Sequence, residues 1–263
     1  RIEDMVEKLR QKEQFQRQLI ANVSHDLRTP MASMRGHLET LLMDDGRGGT
    51  AHRERYLRII TGNLDHLDRL VEHMLVLSRF DSGQATFRME NFPLAELVDS
   101  ILLRCEGLAA EKDVTLAMEI GDGVGQVLAD PLQISQVLQN LVENAIKFNR
   151  PGGDVAITAE RQDDRVRITV RDTGRGIPPE DLPRIFDRFF TGDESRTRVA
   201  VDPDRRTHAQ HLAQSSGLGL AIAAKIVAGH DSILRVDSRL GSGSSFHFLL
   251  PHAEGEREDA SSA

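Results

Sequence analysis

At 263 residues the chain has room for one large or two modest domains, and 39% hydrophobic with 28% charged residues suits a globular build. A formal net charge of −8 would repel a phosphate backbone, so no nucleic-acid partner is expected. A single cysteine, Cys105, excludes an internal disulfide and reads as a small core residue.

No apolar run reaches the length of a membrane span, and the chain opens with Arg1 inside a helical pattern, which reads as a fragment with any membrane portion upstream. Residues 1–83 predict a helical hairpin. Its first helix carries Ile2, Met5 and Leu9, then Ile20, Val23, Leu27, Met34, Leu38 and Leu41 at three- and four-residue steps. With Ile20 and Leu27 as successive a positions, His25 falls at f, the most exposed place in a heptad. Asp26 adjoins it and Thr29 lies one turn on, on the same face. A neutral imidazole is a nucleophile, and a neighbouring carboxylate can hold its tautomer or accept its proton. A solvated polar face kinked at Pro30 explains the same residues.

Breaker-rich residues 44–50 make the turn. The second helix shows Tyr56, Ile60, Leu64, Leu67, Val71, Met74 and Leu77 at heptad-like spacing. Two such helices cannot bury two apolar stripes, so a homodimeric four-helix bundle is expected. A plain structural coiled coil accounts equally for the seam, though not for Ser24-His25-Asp26.

Residues 84–252 change to mixed α and β patterning, with a hinge expected near 80–87. Strand-like runs fall at 114–120, 155–159, 166–171, 233–237 and 245–250, with helical patterns at 94–110, 132–148 and 218–228. These predict an α/β sandwich: one mixed sheet with helices on one face. Residues 253–263 are polar and acidic and read as a disordered tail.

Asp130-Pro131 supplies an N-cap and a first-turn proline for a helix on which Asn140, Asn144 and Lys147 share a face. A carboxamide oxygen suits Mg²⁺ and a lysine suits phosphate, although a capped surface helix carries such residues too. Asp172-Thr173-Gly174-Arg175-Gly176-Ile177 follows a strand. There the glycines permit close ligand approach and Asp172 can accept from an exocyclic amine, unless this is only a surface turn. Gly217-Leu218-Gly219-Leu220 opens the next helix, where free amides favour phosphate. Gly241-Ser242-Gly243 reads as a hairpin turn. Between Phe190 and Gly217 a long aperiodic stretch holds Arg196, Arg198, Arg205, Arg206, His208 and His211, either a lid or a solvated charged loop.

In order, these segments resemble the cytoplasmic core of a bacterial sensor histidine kinase of two-component signalling. Residues 24–30 match its phosphoacceptor box and 140–148 its N box; 172–177 and 217–222 match its two glycine boxes and 186–190 its F box. The resemblance covers nearly the whole chain. It implies a dimerisation and phosphoacceptor domain over residues 1–83 and a Bergerat-type ATP-binding domain over 84–252. In relatives with that ATPase fold a glutamate on the N-box helix orients water for hydrolysis. Asn140 stands one turn before the magnesium asparagine here, which suits transfer to a histidine, with a role for nearby Glu143 left open.

The resemblance further implies ATP and Mg²⁺ as cofactors. Asn140, Asn144, Lys147, Asp172, Gly174, Gly176, Gly217 and Gly219 would hold nucleotide, Asn144 would hold the metal and Asp172 would read adenine. His25 would take the γ-phosphoryl group with Asp26 as base, Asn140 counting with them among the catalytic residues. Phosphohistidine would then donate to an aspartate of a response regulator receiver domain. Thr29 would position water in a phosphatase mode acting on that regulator. The resemblance also implies the cytoplasmic portion of an inner-membrane protein. Three departures stand out: Ser215-Ser216 before Gly217, His230-Asp231-Ser232 in place of His-Gly-Gly, and a long lid rich in arginine and histidine. They motivate a second reading, a nucleotide-gated interaction module with a degenerate kinase site; Thr29 motivates a third, a net phosphatase.

Overall fold

A computed structural model describes residue 24 and residues 26–43, 49–192 and 217–253. His25, the helix expected before residue 24, most of the turn (44–48), the bulk of the arginine-rich stretch with Ser215 and Ser216, and residues 254–263 lie outside the described residues. The chain divides into two compact units between Met74 and Leu75.

In the first unit, α1 (26–43) is helical through Pro30, and α2 (Gly49–Asp81) begins after the turn, its residues from Leu75 onward belonging to the second unit. The stripe of α2 turned inward runs through Tyr56, Ile59, Asn63 and Leu70, all 7% exposed or less. It lies one position off the heptad that the apolar residues suggest, because Leu57, Leu64 and Val71 are about half exposed. The inward seam is partly polar. Asn63 Nδ2 donates to Ile59 O at 2.9 Å and to Ser33 Oγ of α1 at 3.5 Å. The Tyr56 ring lies 5.0 Å from His37 and 4.6 Å from His52, centroid to centroid. Along the same stripe, burial, then Arg69 and His66, push His73 down to about 4.

The second unit is built on a sheet of seven strands among the described residues. They are β1 (Glu90–Pro93), β2 (Val114–Ile120), β3 (Gln126–Ala129), β4 (Gly153–Gln162), β5 (Arg165–Asp172), β6 (Arg235–Arg239) and β7 (Gly243–Ala253). The order is β1-β3-β7-β5-β4-β2, with β6 on β7, and β2 runs parallel to β4 while the other pairs are antiparallel. Val166, Ile168, Val170 and Asp172 of β5 are buried while Arg171 is exposed and the residues between them are half-buried, the alternation of a sheet with one face covered. The helices α3 (Leu94–Lys112), α4 (Pro131–Lys147) and α5 (Gly219–Gly229) supply the cover. Val98, Ile101, Leu138, Leu141, Ile146 and Ile222 are at most 1% exposed. Cys105 belongs to this interior, where burial and then Glu143 push its thiol up to about 11, outside the reactive range.

Two strands go beyond the sequence reading. β1 and β3 have four residues each, pair with each other, and β3 joins the end of β7 through Gln126–Ala253 and Val127–His252. The last strand therefore reaches Ala253, past Leu250.

Candidate functional site

α4 starts where its sequence says it should. Asp130 Oδ1 accepts the Gln133 N–H at 3.1 Å, Pro131 occupies the first turn, and Oδ2 accepts the Arg88 N–H at 2.9 Å. The Asp130 N–H donates to Nε2 of buried His230 at 3.0 Å, and His230 Nδ1 lies 2.8 Å from Ile226 O. That pairing assigns the ring proton to Nδ1. The His230-Asp231-Ser232 departure is thus structural: Asp231 takes φ 52 and Ser232 Oγ accepts the Leu249 N–H at 3.0 Å.

Helical spacing buries Ile134, Val137, Leu138, Leu141, Val142, Ala145 and Ile146 and leaves Asn140, Asn144 and Lys147 half-buried along one side. Asn140 Nδ2 donates to Gly219 O at 3.2 Å, which ties the middle of α4 to the first residue of α5. Glu143 is engaged on its own helix, accepting from Gln139 Nε2 at 2.9 Å. At the end of α4, Lys147 Nζ is buried and has no hydrogen-bond partner among the described residues. Burial, then Arg175 and Lys112, push it down to about 7, against the pull of Glu143.

Asp172 ends β5, 8% exposed. Its Oδ1 accepts both the Gly174 N–H at 2.8 Å and the Ser244 N–H at 3.2 Å, and among the described residues Oδ2 is left for an incoming donor. Burial raises the carboxyl above its ordinary range and the two N–H bonds oppose the rise. Behind it, Gly243 has φ +95, and a β-carbon there would overlap the Asp172 carbonyl. The Gly241-Ser242-Gly243 turn is therefore the back wall of this aspartate, a role that its sequence alone does not disclose.

Gly174 and Gly176 follow in the turn beyond Asp172, both buried. A cavity of about 410 Å³ opens beside it, with Lys147, Phe148, Arg150, Gly174 and Arg175 in its lining. Gly217 has φ +65 and accepts the Phe189 N–H at 2.9 Å; a β-carbon on it would sit 2.6 Å from the Phe189 backbone. The F-box segment is also anchored elsewhere in this unit, since Arg188 holds Asp81 through two bonds of 2.5 and 2.6 Å.

Within the second unit, then, Asn140, Asn144 and Lys147 lie on α4, Asp172, Gly174 and Gly176 at the end of β5 and in the turn after it, and Gly217 and Gly219 ahead of α5 and on its first residue; of these, Lys147 and Gly174 line the cavity. Asp26 and Thr29 belong to the first unit, half-buried on α1. No group of three or more His, Cys, Asp or Glu fit to hold a metal occurs among the described residues. A divalent ion here would rely on a carboxamide such as Asn144 and on oxygens brought by its ligand, the pattern of Mg²⁺ with bound phosphates. A buried, unpaired ammonium and a carboxylate with one free oxygen fit a nucleotide phosphate and an exocyclic amine.

Two family models match the chain: the His Kinase A (phospho-acceptor) domain over residues 15–83, and the histidine kinase-, DNA gyrase B-, and HSP90-like ATPase over residues 129–254. The sensor histidine kinase WalK of Bacillus subtilis is 33% identical over 252 residues, covering 94% of this chain and 38% of that protein. Sensor protein SrrB of Staphylococcus aureus is 33% identical over 244 residues, covering 92% of this chain and 39% of that protein. The chain thus spans under two fifths of these curated relatives. Among solved structures, histidine kinase ThkA in complex with response regulator protein TrrA is similar at a TM-score of 0.65 and 25% identity, covering 93% of this chain and 64% of that one. The histidine kinase AdeS of Acinetobacter baumannii shares the fold at a TM-score of 0.64 and 22% identity, covering 88% and 98%.

Proposed function

On the premise that this chain is the core of a two-component sensor histidine kinase, we propose that it phosphorylates its own His25 from Mg·ATP and passes the phosphoryl group to an aspartate of a response regulator. The observation that carries the reading is the pairing of Asp172, with one oxygen open, and Lys147, buried without a partner beside a cavity.

In this reading Asp172 accepts from the adenine amino group and Lys147 meets the phosphate chain. Asn144 supplies its carboxamide oxygen to Mg²⁺, which when bound would neutralise charge on the phosphates. Asn140 and the amides opening α5 at Gly219 line the same approach, with Gly174, Gly176 and Gly217 giving the backbone room. A ring nitrogen of His25 attacks the γ-phosphorus as the bond to the bridging oxygen breaks. A P–N bond forms, ADP leaves, and Asp26 takes the imidazole proton. The regulator's carboxylate then displaces the imidazole and becomes an acyl phosphate. Thr29 positions water when the same surface acts as a phosphatase on that regulator.

Half-exposed Leu57, Leu64 and Val71 on α2 support a homodimeric four-helix bundle. No helix among the described residues is long and apolar enough to cross a membrane. We assign attachment at the inner membrane to a segment upstream of residue 1, with this portion cytoplasmic, the phosphoacceptor domain ending at residue 83 and the ATP-binding domain spanning 84–252.

Incubation with γ-labelled ATP should give acid-labile, base-stable label on the wild type and none on His25→Gln. Label that persists in the variant overturns the assignment. Thr29→Ala should spare that label and slow dephosphorylation of the regulator; equal loss of both would remove Thr29 from the phosphatase reaction.

A further inference from the structure

The role of the turn residue Arg175 goes beyond the nucleotide reading above and rests on it. Arg175 is exposed, yet it is tied to the end of α4 from two sides. Its N–H donates to Phe148 O at 3.1 Å and its guanidinium carbon lies 4.6 Å from the centre of the Phe148 ring. Its carbonyl accepts the Gly241 N–H at 2.6 Å, so the same residue also fixes the turn behind Asp172. Lys147 Nζ lies 5.0 Å from the centre of that same Phe148 ring. Two cations thus share one aromatic ring at the wall of one cavity, with Arg150 as a third in its lining.

Such crowding has a chemical consequence. The groups acting on Lys147 are Arg175 from the turn after β5, Lys112 from the end of α3 and Glu143 from α4 itself. Glu143 already accepts from Gln139, and Lys147 has no hydrogen-bond acceptor among the described residues. An ammonium group in that position is desolvated and repelled by two cations, and only partly offset by Glu143 and a weak aromatic contact. A phosphate chain in the cavity would supply the missing counter-charge.

We propose that Arg175 is a positioning residue of the nucleotide site: stacked on Phe148 and crowding Lys147, it keeps that lysine unpaired and reserved for the phosphate chain, so that nucleotide binding there takes up a proton. The sign follows from the apo state. Lys147 is pushed down to about 7, and an anionic phosphate restores its preference for the charged form. Affinity should therefore be greatest below neutrality, be about fivefold weaker at pH 8 than at pH 7, and approach a tenfold loss per unit above that.

Calorimetric titration of the full chain with the magnesium complex of a non-hydrolysable ATP analogue, at pH 8 in two buffers of different ionisation enthalpy, counts the protons. The wild type should take up about one proton per nucleotide, as a lysine mostly neutral at that pH requires. Lys147→Arg, which stays charged, should bind with no uptake and a flat pH profile. Arg175→Met should bind with less uptake at pH 8 and a profile displaced to higher pH. Undiminished uptake in Lys147→Arg overturns the proposal, as does a wild-type profile in Arg175→Met. Absence of nucleotide binding by the wild type overturns instead the nucleotide reading beneath it.

Discussion

The two units solve burial differently. In the α/β unit, Leu138, Leu141, Ile168, Ile222 and Phe248 are 1% exposed or less, and the buried polar groups that hold the site, Asp130, Asp172 and His230, all have named partners. In the helical hairpin the inward stripe contains Asn63 and the rings of Tyr56 and His37, while Leu57, Leu64 and Val71 face outward. The first pattern suits a unit complete in itself and built to hold a ligand geometry. The second leaves apolar surface exposed, as the proposed four-helix bundle would need, and places a polar pair in the seam, as a single buried asparagine does in coiled coils.

The largest break in that contrast should come from Leu141→Ala. Emptying a dry core position costs about 2–5 kcal/mol, and thermal unfolding of the α/β unit should show it with the hairpin's hydrogen exchange unchanged. Asn63→Ala should cost less, about 1 kcal/mol for its lost bonds to Ile59 and Ser33, read as faster exchange in α2 alone.

Acid sharpens the same contrast. His73 is held neutral by burial, with its proton affinity lowered from 6.5 to about 4. The unfolded chain binds that proton first, so hairpin stability is full above about 6.5 and declines as pH falls toward about 4. His73→Leu should flatten the decline; an unchanged pH profile would locate the acid sensitivity in another group. The smallest effect on unfolding belongs to Leu64→Glu, within about 0.5 kcal/mol for an exposed site. The same change should shift sedimentation toward monomer, and a dimer unaffected by it would count against this face as the bundle interior.

The α/β patterning was legible because strand alternation and helix periodicity differ so clearly. The four-residue strands β1 and β3 carry no alternation to read; their partners lie far along the chain. On α2 the apolar residues define two neighbouring seven-residue stripes. The one turned inward hides behind Asn63, His66 and His73, polar residues that interrupt its apolar pattern. At the candidate site, Asn140, Asn144, Lys147 and Asp172 stand out in the sequence through spacing and context. Long-range contacts do not: the Arg175–Phe148 stack, the Gly243 wall and the His230–Asp130 bond join segments 27, 71 and 100 positions apart in the sequence.

Asp172 carries a consequence of a different kind. Its Oδ1 is spent on two backbone N–H groups, so a ligand meets one oxygen, and an ionised carboxylate oxygen can only accept. In the function proposed above, this aspartate would therefore select by refusal. A purine presenting an amino group would be admitted, while one presenting a carbonyl at the same edge would set oxygen against oxygen at a carboxylate only 8% exposed, where unmet hydrogen bonds cost most. On that proposal, discrimination between bases would need no added residue: it would follow from β5 ending on an aspartate whose other oxygen the backbone has already claimed.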